Sequence, residues 1–164
     1  STDYPARIVL DFSNEPSSIT AAIDSLAADG GGDGPETVYS AMHAAFTSLM
    51  WRDGVVKSAL VLGDAPPLMG SDGAEPISGL TPSQIIDESL ALDPVQVIAL
   101  DMGQLASPDL QNIIDRTHGR TYSNIADLTA TIREIINTTS KLPFRQWICR
   151  QNWYSSNLQC RWLL

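Results

Sequence analysis

Ser58-Ala59-Leu60-Val61-Leu62-Gly63-Asp64-Ala65-Pro66-Pro67 is the stretch on which the fold turns. Its apolar run has no polar alternation, the pattern of a central parallel strand covered on both faces, and it stops at an acid and two prolines that cannot continue a ladder. Val95-Gln96-Val97-Ile98-Ala99-Leu100 repeats the pattern and also ends in an acid, Asp101. Between the two, Thr81-Pro82-Ser83-Gln84 carries helix-start chemistry, with Thr81 as cap, Pro82 in the first helical position and Gln84 completing a capping box.

Further along, Ser107-Pro108 opens a helix with Leu110, Ile113 and Ile114 inward and Gly119 as its stop. Arg120–Ser123 reads as a short strand, and Asn124 as the cap of a last helix whose Ile125, Leu128, Ile132, Ile135 and Ile136 form a buried stripe. Toward the start, Arg7-Ile8-Val9-Leu10-Asp11-Phe12 reads as a strand closed by Ser13-Asn14-Glu15-Pro16. Ile19, Ala22, Ile23 and Leu26 then form a helical stripe that ends at Gly30-Gly31-Gly32. A second helix is expected from Pro35 to about Trp51, with Val38, Met42, Ala45, Phe46 and Leu49 on one face. Strands separated by helices in this way define an α/β protein with a Rossmann-like, doubly wound, mostly parallel sheet and helices on both faces. Ligands of such sheets bind beyond the carboxyl ends of the strands, where the loop 30–36, Asp64 and Asp101 fall.

With 164 residues, 43% hydrophobic and 18% charged, the chain suits one soluble domain with a real core. No apolar run approaches the ~20 residues of a transmembrane segment. Ser1-Thr2-Asp3-Tyr4-Pro5 lacks the blocks of a signal peptide, so an export signal would lie outside this chain. A net charge of −9 has the wrong sign for a nucleic-acid partner. All nineteen acids precede residue 145, whereas Arg145, Arg150 and Arg161 follow it together with both cysteines and three of the four tryptophans. The expected organisation is therefore an α/β domain over 1–142 and a basic, Trp- and Cys-containing tail over 143–164. That tail shows no sustained period. It reads as the start of another domain, as a patch for a membrane or partner, or as sequence foreign to the domain from a frame error. Its loss of every acid favours the third reading, and poor packing on the body is expected.

Gly30-Gly31-Gly32-Asp33-Gly34-Pro35-Glu36-Thr37 is not a phosphate cradle, because it lacks the Lys of a Walker loop and a preceding strand, and Asp33 and Glu36 would repel an anion. Carboxylates on two loops at one sheet end instead suit Mg²⁺ or Ca²⁺. The plainer reading has Asp33 capping the next helix and Glu36 favouring its first turn. His43 and His118 have no Ser or Cys partner nearby in sequence and read as surface or capping residues, and Ser13 and Ser71 sit in no nucleophile elbow. Asp101 reads as the solvated end of a strand or as a second acid near the ion. An Mg²⁺-dependent hydrolase using Asp64 and Asp101 is the competing class, although the sequence offers it no nucleophile or base.

The GGGDGPE run, the helix ending in Leu49-Met50-Trp51-Arg52 and the run 59–67 together resemble a von Willebrand factor type A domain, of the extracellular or secreted branch with a GGGDxPE loop. The resemblance covers about residues 5–140. It implies a non-enzymatic protein-binding or adhesion module with a metal-ion-dependent adhesion site built from three loops. Asp64 matches that family's acid at the end of its fourth strand. Asp33 stands where many members have threonine, with Glu36 or Thr37 as substitutes. The family's first strand ends in Asp-x-Ser-x-Ser, which Asp11-Phe12-Ser13-Asn14-Glu15 imitates. Only about twenty residues separate Asp11 from Asp33, however, too few for the intervening helices and strands of the family. The resemblance thus implies a partial domain without that first strand, a degenerate site that holds Mg²⁺ or Ca²⁺ weakly through Asp33 and Asp64, and a secreted parent. It also implies an unpaired edge on strand 58–63, open to self-association.

Overall fold

The computed structural model describes residues 6–27, 35–139, 146–151 and 158–163. They divide into two compact units, one of Ser1–Arg52 with Lys57–Ala126 and one of Asp53–Val56 with Asp127–Leu164. Three parallel strands, β1 (Lys57–Gly63), β2 (Val95–Asp101) and β3 (Arg120–Ser123), form the sheet of the first unit in the order β1-β2-β3. The register runs from Lys57↔Val95 to Gly63↔Asp101 and from Ile98↔Arg120 to Asp101↔Ser123. The class is α/β, compatible with a small, partial Rossmann-like fold.

Each connection is a helix whose start the sequence marks. Helix α3 (Pro82–Ala91) links β1 to β2 and opens on a complete capping box, with the Thr81 N–H donating to Gln84 Oε1 at 2.9 Å. Helix α4 (Pro108–Arg116) links β2 to β3, and Ser107 Oγ accepts from the Leu110 N–H at 3.1 Å. The left-handed residue after α4 is His118 (φ 58°), not Gly119. Gly119 is required for another reason: a Cβ there would stand 1.7 Å from the Val97 carbonyl oxygen, so helix end and strand meet backbone to backbone.

Helix α2 (Val38–Ser48) packs beside α3, and α3 beside α4. They cover one face of the sheet in a core that includes Tyr39, Met42, Phe46, Ile85, Val97 and Ile113. Ile98 and Leu100, on the other face of β2, are buried too, so β2 fits the doubly covered strand its sequence suggests. Strand β1 does not. Among the described residues it pairs on one side only, and Leu60 and Leu62 are 42% and 54% exposed. The central position expected for it gives way to an edge, whereas the unpaired edge implied by the family resemblance is present.

The amino-terminal segment departs further from expectation. Residues 7–12 form no strand, since no ladder partner faces them among the described residues and an extended run without one gains no sheet hydrogen bonds. Helix α1 (Pro16–Asp24) forms on the expected stripe but buries none of its residues, and Ile23 is 62% exposed. Together with α2 these pieces border an open apolar groove of about 440 Å³ lined by Val9, Ile19, Ile23, Ala44 and Leu49, among others.

In the second unit, α5 (Leu128–Thr139) begins later than its stripe implies. Asn124 takes a left-handed conformation (φ 54°) and does not cap it; Asp127 Oδ1 instead accepts from the Ala130 N–H at 2.9 Å. Of the expected stripe only Ile135 is fully buried, and Ile136 is exposed. The tail, read as lacking any period, contains an antiparallel hairpin of β4 (Gln146–Gln151) and β5 (Leu158–Leu163).

Candidate functional site

The carboxyl ends of β1 and β2 lie side by side because Gly63 is the register partner of Asp101. Beyond them the Met102 N–H donates to the Gly63 carbonyl at 2.9 Å and the Gln104 N–H to the Asp64 carbonyl at 2.8 Å. Gly103 sits so close that an added Cβ would lie 3.0 Å from that Asp64 oxygen. The backbone of Asp64 is thus held from the β2 side while its side chain is exposed, with no hydrogen-bond partner among the described residues.

The glycine-loop helix arrives at the same end. Glu36 bridges to Pro67 in parallel fashion, its N–H donating to the Pro66 carbonyl at 2.9 Å and its carbonyl accepting from the Leu68 N–H at 2.7 Å. This pairing is why α2 starts at Val38 and not at Pro35: both backbone groups of Glu36 are committed to the 66–68 segment. Glu36 and the 66–68 segment therefore meet in space. Asp33 and Gly30–Gly34 lie outside the described residues, so the capping role read for Asp33 does too.

Thr37 occupies the cap position of α2 without a side-chain capping bond. The acceptor comes from a residue that sequence reasoning passed over. Glu75, with no exposed surface, reaches into the first turn, where the Ser40 N–H donates to Oε1 at 3.3 Å and the Ser40 hydroxyl to Oε2. Ser78 donates to Oε2 as well, at 2.6 Å. A carboxylate at a helix amino terminus is favoured by the dipole and by the orphan N–H groups, and burial strengthens both effects. The only sequence signal was an acid among the turn residues Gly73-Ala74-Glu75-Pro76, and nothing local reports a partner 35 residues away. Buried Tyr39 stands near this carboxylate, and its Oη approaches Ser107 without the geometry of a full hydrogen bond. Burial, helped by the Asp109 and Glu75 charges, pushes that phenol well above its ordinary value.

Asp101 stays partly open to solvent at the end of its strand, but it is not free. Its Oδ1 accepts from the Gly103 N–H and the Leu105 N–H, both at 2.9 Å, so it is the pin of the loop after β2. Burial works against its charge, but the N–H donors of Leu105, Gly103 and Ala106 outweigh it and hold the carboxyl below the usual range. An acid held ionised by backbone donors is a poor proton donor, and its Oδ1 already accepts two N–H groups.

The remaining candidates lie apart. Asp11 Oδ1 accepts from its neighbour Phe12 N–H at 2.7 Å and from the Met50 N–H at 3.3 Å, just past the carboxyl end of α2. Asp64 belongs to the loop at the other end of that helix, and eleven helical residues span about 16 Å. Asp11-Phe12-Ser13-Asn14-Glu15 therefore lies away from Asp64. His43 Nδ1 pairs with Glu88 Oε1 at 2.7 Å across the α2–α3 contact, a structural link with no nucleophile beside it. Among the described residues no group of three His, Cys, Asp or Glu side chains is arranged to hold a metal ion, and no helix is long and apolar enough to cross a membrane.

No protein-family model matches the chain, and no curated protein or solved structure shows significant similarity to it.

Two outcomes follow from these carboxylates. Replacing Glu75→Ala strips the α2 cap and leaves the Ser40 and Ser78 hydroxyls without their acceptor, so chemical denaturation should show a loss of about 3 kcal/mol. Glu75→Gln, which keeps an acceptor, should lose distinctly less. For Asp101, a lowered folded-state carboxyl contributes stability that is complete above the ordinary carboxylate range and is lost as pH falls through the lowered value. Asp101→Asn should therefore be less stable than the parent at neutral pH, with the two stability curves converging in acid.

Proposed function

We propose that this chain is a non-enzymatic protein-binding module of the von Willebrand factor type A kind, whose cation site is degenerate. The observation that supports the reading is the Glu36–Pro67 bridge, which joins the last residue of the GGGDGPE run to the last of the LVLGDAPP run. Binding rather than catalysis is favoured because, among the described residues, Asp64 is the strand-end acid with no hydrogen-bond partner, while Asp101 Oδ1 is engaged by its own loop. A single open carboxylate, joined by Asp33 at most, falls far short of the six or more oxygens that Mg²⁺ or Ca²⁺ takes, so water must supply the rest. The ligand in this reading is a protein, met at the sheet end through that weakly held cation, and the setting is extracellular.

Titration calorimetry with MgCl₂ and CaCl₂ is expected to give dissociation constants of about millimolar or weaker, further weakened by Asp64→Asn. Micromolar binding would refute the degenerate site. Turnover of a phosphoester or peptide substrate, abolished by Asp64→Asn, would replace the binding module with the hydrolase.

The open edge of β1 supports a second contact in the same reading, with another copy of this chain. Antiparallel pairing of two β1 edges about a two-fold axis would join two three-stranded sheets into one and bring Leu60 and Leu62 of the two copies together on one face. A net charge of −9 on each copy opposes this. Sedimentation should therefore show association that rises with salt and disappears in Leu62→Lys.

A further inference from the structure

The β4–β5 hairpin places Cys149 directly opposite Cys160 in its antiparallel register. They are the two cysteines of the chain. Opposed residues of an antiparallel pair lie about 4.5 or 5.5 Å apart at Cα, according to whether they share ladder hydrogen bonds. Both values fall within the roughly 4.4–6.8 Å that a disulfide spans. A one-residue slip would send the cysteines to opposite faces, so this register is the one that suits a bond. Trp147 opposite Trp162 in the same ladder is an aromatic cross-strand combination of the kind that favours one register over its neighbours.

We propose that Cys149 and Cys160 form a redox modification site, closed into an intramolecular disulfide by a low-molecular-weight disulfide such as oxidised glutathione. The thiolate of one cysteine attacks a glutathione sulfur, breaking that S–S bond and releasing one glutathione thiolate. The thiolate of the other then attacks the protein sulfur of the mixed disulfide, forming the Cys149–Cys160 bond and releasing the second glutathione. Two protein thiols are oxidised, one glutathione disulfide is reduced to two glutathione thiols, and the two protons end on the released thiolates. The sequence around the two cysteines is basic, with Arg145, Arg150 and Arg161 and no acid from residue 145 onward, a charge balance that favours a thiolate. The product staples a hairpin whose sheet has two strands among the described residues.

The full chain, equilibrated in glutathione redox buffers, alkylated and weighed intact, tests this. The expected product is a monomer about 2 Da lighter than the reduced chain, with no alkylated cysteine and a cross-linked Cys149–Cys160 peptide on digestion. Mixed glutathione disulfides on both cysteines, or dimers joined between chains, would overturn the proposal. Because any flexible loop of this length can close to some extent, the deciding comparison is a register-shifted variant carrying Cys160→Ser and Gln159→Cys. Its effective concentration for closure should fall at least ~tenfold below that of the parent. Equal values in the two chains would show that proximity along the chain, not the hairpin, joins the cysteines.

Discussion

A carboxylate with no exposed surface has to be satisfied where it stands, and Glu75 is satisfied by the first turn of α2 and by Ser78. That set of contacts determines how the long connection after β1 runs. From Asp64 it passes Pro66 and Leu68, which pair with Glu36, and it is then drawn back onto Ser40 by Glu75 before Thr81 starts α3. Without the buried acid, the amino terminus of α2 would have neither cap nor counter-charge. The bridge at Glu36 would then hold the two motifs together by two backbone bonds alone. Such bonds net about 1 kcal/mol each, too little to fix a loop of this length against its conformational entropy.

Sequence reasoning succeeded where a structural instruction is local. Thr81-Pro82-Ser83-Gln84 and Ser107-Pro108 contain the whole cap within one turn, and both helices begin where they predict. Strand β3 was legible for a related reason, since Arg120–Ser123 follows directly on the turn at His118 that closes α4. The failures are non-local. Glu36 has helix-favouring chemistry but is taken by the 66–68 segment, Asn124 has capping chemistry but adopts a left-handed turn, and Glu75 looks like one more turn residue. Arg7–Phe12 has every composition cue of a strand. Composition does not supply the neighbouring strand, and without it the segment stays irregular.

The same absence explains where apolar surface is left. Ile8, Val9 and Leu10, the outer residues of α1, and Leu60 and Leu62 of β1 are all substantially exposed, although each belongs to a run patterned for burial. Parallel sheets are ordinarily buried on both faces and a long apolar edge is ordinarily blunted by charge, proline or a bulge. Within β1 the one charged residue is Lys57, which is itself buried at the beginning of the strand beside Asp93 and so does not guard the edge. A partial sheet of this kind satisfies its helix-covered face first, through Val97, Ala99 and the residues of α2, α3 and α4, and leaves the remaining apolar surface exposed.

At the sheet end the same logic separates two acids that look equivalent in sequence. Asp64 and Asp101 each close an apolar strand, one register step apart. After Asp101 the chain turns tightly through Gly103, so its own N–H groups converge on the carboxylate and consume it. After Asp64 the chain meets Ala65 and two prolines, and prolines have no N–H to donate. A carboxylate followed by Pro66-Pro67 is denied the donors that neutralised its neighbour, and it therefore remains open toward solvent beside the helix that the glycine loop precedes. The difference between an acid engaged by its own loop and one left open in this protein thus reduces to which backbone follows it.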